Sequence, residues 1–290
     1  MFSGCIVALI TPFKSDGDID VDSVKSLAER HLAAGTDGIL VSGCTGESFM
    51  LDDKERIELF RIVKSVVGDR LKVLIGTGAS STAVALKRTE AAAEAGVDGV
   101  LVITPFGNKP SQHAMEDYFN EVASVGAPVI LYNVPGRTGA TIAPETAVKL
   151  AENENIVAIK EASGSLDAVS FILANSDLTV LSGDDSLTVP MISIGAKGVI
   201  STSANLLPED FAEMLHAALD GDWMRAAELH LDMFPVMKAL FIEGNPVPLK
   251  AAMTRAGMIP EAIYRAPLVK MSEDNRERLF RVLDAYGAAE

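Results

Sequence analysis

The sequence predicts an α/β protein, a closed (β/α)8 TIM barrel followed by a small C-terminal α-helical region. Three observations lead there. Apolar runs of strand length alternate with amphipathic segments of helix length nearly to residue 220, giving about eight βα units. Several of the runs, such as Ile156-Val157-Ala158-Ile159, are continuously apolar and β-branched, the pattern of strands buried on both faces. A joint also repeats: Ala34-Gly35-Thr36-Asp37-Gly38-Ile39-Leu40-Val41 returns as Ala95-Gly96-Val97-Asp98-Gly99-Val100-Leu101-Val102, and more loosely as Ile194-Gly195-Ala196-Lys197-Gly198-Val199-Ile200-Ser201. Each copy has a glycine closing a helix, a short polar turn and a buried strand; the uneven spacing excludes a solenoid.

The elements follow in order. Cys5–Ile10 is the first strand and Val21–Ala34 a helix with Leu27, Ala28 and His31 on neighbouring turns. Strand Gly38–Ser42, helix Asp52–Val67, strand Lys72–Ile75 and the Ala- and Glu-rich helix Thr82–Ala95 come next. Strand Gly99–Ile103, helix Gln112–Ser124, strand Pro128–Tyr132 and helix Pro144–Ala151 follow, the last with proline in its first turn, where the missing N–H costs nothing. The sixth strand runs into Lys160, followed by helix Leu166–Ala174, strand Leu178–Ser182, helix Ser186–Ile194, strand Gly198–Ser201 and helix Pro208–Leu219. Beyond about residue 222 the strands stop, and Trp223–Phe241, Pro246–Gly257 and Asn275–Tyr286 read as helices. The expected division is a barrel over residues 1–222 and a helical region over 223–290, packed on the barrel or on a neighbouring subunit.

Composition narrows the function. With 25 basic against 40 acidic residues the formal charge is −15, unsuited to nucleic acid or an anionic membrane. Two cysteines, Cys5 and Cys44, give no disulfide framework and no C-x-x-C metal knuckle. No apolar run reaches the ~18 residues of a membrane span. The opening Met1-Phe2-Ser3-Gly4-Cys5 lacks the basic start and apolar stretch of a signal peptide, so Cys5 is expected in the core and the protein in the cytoplasm.

In such a barrel the active site lies at the C-terminal ends of the strands. Those ends carry Ser42-Gly43-Cys44-Thr45-Gly46-Glu47-Ser48, Tyr132-Asn133-Val134-Pro135-Gly136-Arg137-Thr138-Gly139, Lys160 and Gly183-Asp184-Asp185. A lysine emerging from a buried strand loses hydration, its amine becomes less basic, and it can attack a ketone to give a Schiff base. Tyr132 is placed to shuttle protons, the Cys44-Thr45 turn to hold one carboxylate through backbone N–H groups, and Arg137 to clamp a second in a bidentate fork. Together these read as a class I aldolase. Each has a plainer alternative: Lys160 paired with Glu161, Tyr132 bonded to a backbone carbonyl, residues 43–47 as a simple tight loop, Arg137 in a surface ion pair. Asp184-Asp185, with no histidine near, reads as a helix N-cap before Ser186 and not as a metal site. His31, His113, His216 and His230 all fall on predicted helices, away from the chemistry.

At these residues the sequence resembles the dihydrodipicolinate synthase family, within the N-acetylneuraminate lyase superfamily of Schiff-base aldolases. The resemblance runs from Gly4-x-x-Val7-Ala8-x-x-Thr11-Pro12 to Asn245-Pro246-Val247-Pro248-Leu249-Lys250, and is strongest in Gly43-x-Thr45-Gly46-Glu47, in Leu131 to Gly139 and in Ile159-Lys160-Glu161-Ala162. It implies condensation of pyruvate with L-aspartate 4-semialdehyde to 4-hydroxy-tetrahydrodipicolinate, at the entry to lysine and diaminopimelate synthesis. Lys160 would carry the Schiff base, Tyr132 relay protons, Thr45 bind the pyruvate carboxylate, Gly183 and the Ile200 carbonyl line the pocket, and Arg137 take the semialdehyde carboxylate. No metal or organic cofactor is implied, and the assembly would be a homotetramer of tight dimers, or a homodimer.

Two departures stand out. Cys44 replaces a threonine that in the family bridges the catalytic tyrosine to a second tyrosine from the neighbouring subunit, and Gly107, beside Phe106, falls where that second tyrosine is expected. A thiol donates more weakly than a hydroxyl, so the relay beyond Tyr132 is truncated. These departures keep a second reading open, a pyruvate-dependent aldolase acting on a sugar acid or hydroxy-keto acid, against which Arg137 argues. A non-catalytic keto-acid binder and a metal-dependent hydrolase fit less well. The family's lysine feedback positions read Asp53, Arg56, Ser80, Val84 and Phe106, a set expected to give weak or absent inhibition by lysine.

Overall fold

A continuous apolar run that reads as a strand buried on both faces needs cover on both sides, and the chain supplies it by closing its sheet on itself. The computed structural model describes residues 2–287. Strands β1 (Gly4–Ala8), β2 (Gly38–Val41), β3 (Lys72–Gly76), β4 (Gly99–Ile103), β5 (Val129–Asn133), β6 (Ile156–Glu161), β7 (Thr179–Ser182) and β8 (Gly198–Ser201) pair in parallel in chain order. Strand β8 returns to β1 through Gly4↔Gly198 to Val7↔Ser201, so no edge is left open. Alternate residues diverge: Ile6, Leu40, Leu74, Leu101, Ile130 and Ile200 fill the barrel interior, while Val7, Ile39, Val73, Val100 and Val129 meet the surrounding helices.

The barrel helices are α1 (Val21–Ala33), α2 (Asp53–Val67), α3 (Thr82–Glu94), α4 (Gln112–Ala123), α5 (Pro135–Thr138), α6 (Pro144–Leu150), α7 (Leu166–Asn175), α8 (Thr188–Ser193) and α9 (Pro208–Asp220). Local chemistry sets where they begin. Asp52 and Glu55 form a reciprocal capping box at α2, Asp20 caps α1 and Ser111 caps α4. Most expected boundaries hold to within a residue or two. The short α5 was not expected, although its signals are present: Pro135 opens it and Gly139, at φ +70°, closes it.

The region expected as one helix, Ser186–Ile194, is a 3₁₀ turn over Asp185–Leu187 followed by α8. Asp184-Asp185 do not play the N-capping role that the sequence predicts. Asp184 sits at the cap position but its side chain accepts no bond from that turn's backbone. The Asp185 carboxylate instead accepts the N–H groups of Thr202 and Ser203, at 3.3 and 2.8 Å, and the Ser203 hydroxyl, at 2.6 Å. It caps the turn after β8, across the barrel rim.

The C-terminal region consists of α10 (Trp223–Ala239), α11 (Val247–Arg255) and α12 (Glu273–Tyr286). Met233, Val236, Leu249 and Met253 share one apolar cluster with the outward faces of the strands, so the core is continuous across residue 222. A buried ion pair adds a polar tie. Lys250 on α11 and Glu47 in the β2 loop are both fully buried and bonded to each other. The Lys250 ammonium also donates to the Ile263 carbonyl at 2.8 Å and lies 4.4 Å from the centre of the Phe13 ring. Removing one partner leaves the other charge buried and unpaired. Lys250→Met should therefore lower unfolding stability by about 3–5 kcal/mol in a denaturant titration, and Lys250→Met with Glu47→Gln should recover a substantial part of that loss.

Candidate active site

Lys160 ends up dry because β6 sits in the closed sheet with its side chain directed inward. Ala158, two residues earlier, belongs to the interior cluster, and alternation puts Lys160 on the same side. Only 4% of Lys160 is exposed. Burial pulls its ammonium down from 10.5 to about 8, against the favourable influence of Asp185. Glu161 faces the other way, bonded to the Asn133 amide at 2.8 Å and the Ser163 N–H at 2.6 Å, so the plain Lys160–Glu161 pair does not form.

Tyr132 stands opposite Lys160 in the β5–β6 register. The lysine nitrogen lies 4.5 Å from the centre of its ring, and its hydroxyl is bonded to the Cys44 thiol. Burial raises both the phenol and the thiol above their ordinary values, so both keep their protons at neutral pH. Gly183 is required next to them. A Cβ there would stand 2.8 Å from Ala162 Cβ and 2.9 Å from Lys160 Cε, closer than side chains pack.

The β2 loop that carries Cys44 and Thr45 is forced into shape. Ser42 and Glu47 adopt left-handed φ values of 53° and 56°, uncommon for residues with a Cβ. Three ties impose this. The Arg56 guanidinium donates to Ser42 Oγ at 2.7 Å and also to the Ser48 carbonyl, Thr11 Oγ1 donates to the Gly46 carbonyl at 2.8 Å, and Lys250 holds Glu47. The loop thus presents Thr45, whose hydroxyl meets Thr202 Oγ1 at 3.1 Å and the Asn245 amide nitrogen at 2.9 Å.

These groups surround a cavity of about 280 Å³, lined by Cys44, Thr45, Tyr132, Arg137, Lys160 and Gly183 among others. Six of the seven residues singled out in the sequence meet there. The Ile200 side chain is not among the groups lining it and is fully buried in the interior layer. Arg137 is exposed at the rim, donates to the Asn245 carbonyl at 3.2 Å, and forms no ion pair among the described residues despite the acid excess. Sequence reasoning missed Asn245, Thr202, Lys238 and Phe241, which also line the cavity, and read Asp185, another lining residue, only as a helix cap. Asn245 falls in the block Asn245-Pro246-Val247-Pro248-Leu249-Lys250, but nothing local gives it a role. Gly107 is at φ +87° with open space around it, and Phe106 packs edge-on against Phe49 with ring centres 5.0 Å apart. The four histidines lie on α1, α4, α9 and α10, and none lines the cavity. Among the described residues, no group of His, Cys, Asp and Glu is arranged to hold a metal ion.

A neutral amine is the attacking species, so covalent trapping of a ketone on this lysine should rise with pH up to about 8 and then level off, measured as borohydride-fixed adduct against time. The sign for stability follows from the same depression. The folded state disfavours the ammonium, so its penalty is full below about pH 8 and is relieved as pH climbs towards 10.5. Lys160→Met should abolish trapping yet be more stable to unfolding than the parent at pH 7, by roughly 1–3 kcal/mol, with the gap closing near pH 10.

The family model described as "Dihydrodipicolinate synthetase family" matches residues 1–286. The 4-hydroxy-tetrahydrodipicolinate synthase of Geobacter sulfurreducens is 45% identical over 289 residues, covering 99% of each chain. A crystal structure of dihydrodipicolinate synthase from Aquifex aeolicus is 44% identical, with a TM-score of 0.96 over 99% of each chain. The synthase of Cyanidioschyzon merolae, solved with lysine bound, is 38% identical, with a TM-score of 0.95 over 99% of each chain. By sequence over almost its whole length, and by fold, this chain belongs to the dihydrodipicolinate synthetase family.

Proposed function

We propose that the chain is a class I aldolase that condenses pyruvate with L-aspartate 4-semialdehyde to 4-hydroxy-tetrahydrodipicolinate, in the synthesis of lysine and diaminopimelate. The observation that carries this is the buried Lys160 amine against Tyr132, at the mouth of a barrel whose relatives are named for that reaction. The neutral amine attacks C2 of pyruvate, and loss of water gives the iminium. The iminium draws electrons from C3, which loses a proton to become an enamine. C3 then attacks the aldehyde carbon, and the alkoxide takes up a proton. The amino group of the second substrate displaces Lys160 from C2, closing the ring and freeing the enzyme. No step calls for a metal or an organic cofactor, because the iminium is the electron sink.

The residue roles follow from position. Tyr132, held by Cys44, carries the protons, Thr45 takes the pyruvate carboxylate, and Gly183 makes room for the adduct. The Ile200 carbonyl is assigned to the pocket wall on the family resemblance alone. Arg137, unpaired at the rim, takes the carboxylate of the semialdehyde. The protein acts in the cytoplasm as a homotetramer of tight dimers or a homodimer. The half-exposed Phe49, packed on Phe106, and the exposed Val84 give that association an apolar face.

Borohydride trapping with pyruvate, read by peptide mass, should place one adduct on Lys160, and prior addition of aspartate semialdehyde should discharge it. An adduct that the semialdehyde leaves untouched would move the assignment to a sugar-acid or hydroxy-keto-acid aldolase. Arg137→Ala should raise KM for the semialdehyde by roughly 10–100-fold while pyruvate trapping stays near that of the parent. Lysine should inhibit weakly or not at all. Asp53 is already paired with Lys87 and Arg88, Arg56 is turned inward onto the β2 loop, and Val84 cannot hold an ammonium group. Strong inhibition in a lysine titration at physiological concentration would contradict this.

A further inference from the structure

We propose that Asn245, contributed by the C-terminal helical region, is a positioning residue of the pyruvate pocket, and that it sets the Thr45–Thr202 hydroxyl pair as a hydrogen-bond donor. Asn245 lines the cavity with Thr45 and Thr202 and is only 8% exposed. Its amide nitrogen lies 2.9 Å from Thr45 Oγ1 and 3.4 Å from Thr202 Oγ1, and the two hydroxyl oxygens are 3.1 Å apart.

The proton count of this triangle decides what it can bind. An amide nitrogen has two hydrogens and no acceptor site, so both threonine oxygens accept from Asn245. One hydroxyl then donates to the other. The second hydroxyl proton has no acceptor within the triangle and is left to face the cavity. The triangle therefore offers a donor and no negative charge, which suits the carboxylate of a keto acid.

In this orientation the Asn245 oxygen makes no bond to either hydroxyl. It is buried and has no hydrogen-bond partner among the described residues, a state that costs stability. The fold bears that cost with the NH2 face on the hydroxyls. The same residue's backbone carbonyl accepts from Arg137 at 3.2 Å, so one residue of the helical region touches both groups assigned to carboxylates. Asn245 lies 200 residues from Thr45 in sequence, and the buried Lys250–Glu47 pair ties the same two segments.

The inference rests on the Lys160 Schiff-base reading, and the test separates the two. Borohydride trapping is titrated with pyruvate for the parent, Asn245→Asp and Asn245→Ala, recording half-saturating concentration and trapping at saturation. The near-isosteric Asn245→Asp replaces a donor with an anion that also captures the hydroxyl protons. It should raise the half-saturating concentration roughly 10–100-fold, and Asn245→Ala roughly 3–10-fold, with saturated trapping within about twofold of the parent. In steady state KM for pyruvate should rise with kcat less affected. A merely structural role would instead lower saturated trapping and leave half-saturation in place, and that result overturns the proposal. So does an Asn245→Asp titration that overlays the parent. A parent that pyruvate does not label at all would instead overturn the Schiff-base reading on which it rests.

Discussion

The structure depends on keeping one amine out of water while leaving it open to a ketone. Hydration favours the ammonium, and only a closed wall of apolar side chains around Lys160 brings the neutral amine within range of neutral pH. The barrel provides that wall because its strands pair without an edge and fill the interior below the lysine with Leu, Ile and Ala side chains. Gly183 leaves space beside the lysine stem, and Tyr132 covers it from the neighbouring strand. The same closure explains why the thiol and phenol stay protonated: a site dry enough to disfavour the ammonium also disfavours anions within it.

A dry pocket for an anionic keto acid needs donors that carry no formal negative charge, and these come from far apart in sequence. The β2 loop brings Thr45 in a strained conformation, β8 brings Thr202 through the turn that Asp185 caps, and the segment before α11 brings Asn245. Arg56, Lys250 and Thr11 hold the loop from three sides. The helical region therefore completes the site and does not merely pack beside it. At the rim Arg137 has no carboxylate partner among the described residues, in a chain of net charge −15.

Much of this was legible in the sequence, for identifiable reasons. Parallel strands covered on both sides leave continuous apolar runs, so the βα alternation could be read directly, and Lys160, Tyr132 and Thr45 could be brought to one cavity because residues where such runs end meet at the barrel mouth. Boundaries shifted where a tertiary bond intervened: Asp185 serves the β8 turn, and the expected helix from Ser186 became a 3₁₀ turn and a short helix. Asn245 and Thr202 carried no local signal, since their roles arise from a contact between segments joined only in the folded chain. Lys250 falls in the same category, a buried cation whose partner Glu47 no spacing rule would select.

As proposed, Lys160 becomes the covalent anchor of a keto acid whose carboxylate rests on the Thr45 hydroxyl group. A crystal structure of the protein soaked with pyruvate tests it most directly. The expected result is continuous density from Lys160 Nζ to C2 of the ligand, with the carboxylate within hydrogen-bonding distance of Thr45 or Thr202 and the C3 methyl facing Tyr132. Pyruvate bound without a bond to Lys160, or bonded with its carboxylate turned away from the two threonines, would contradict it.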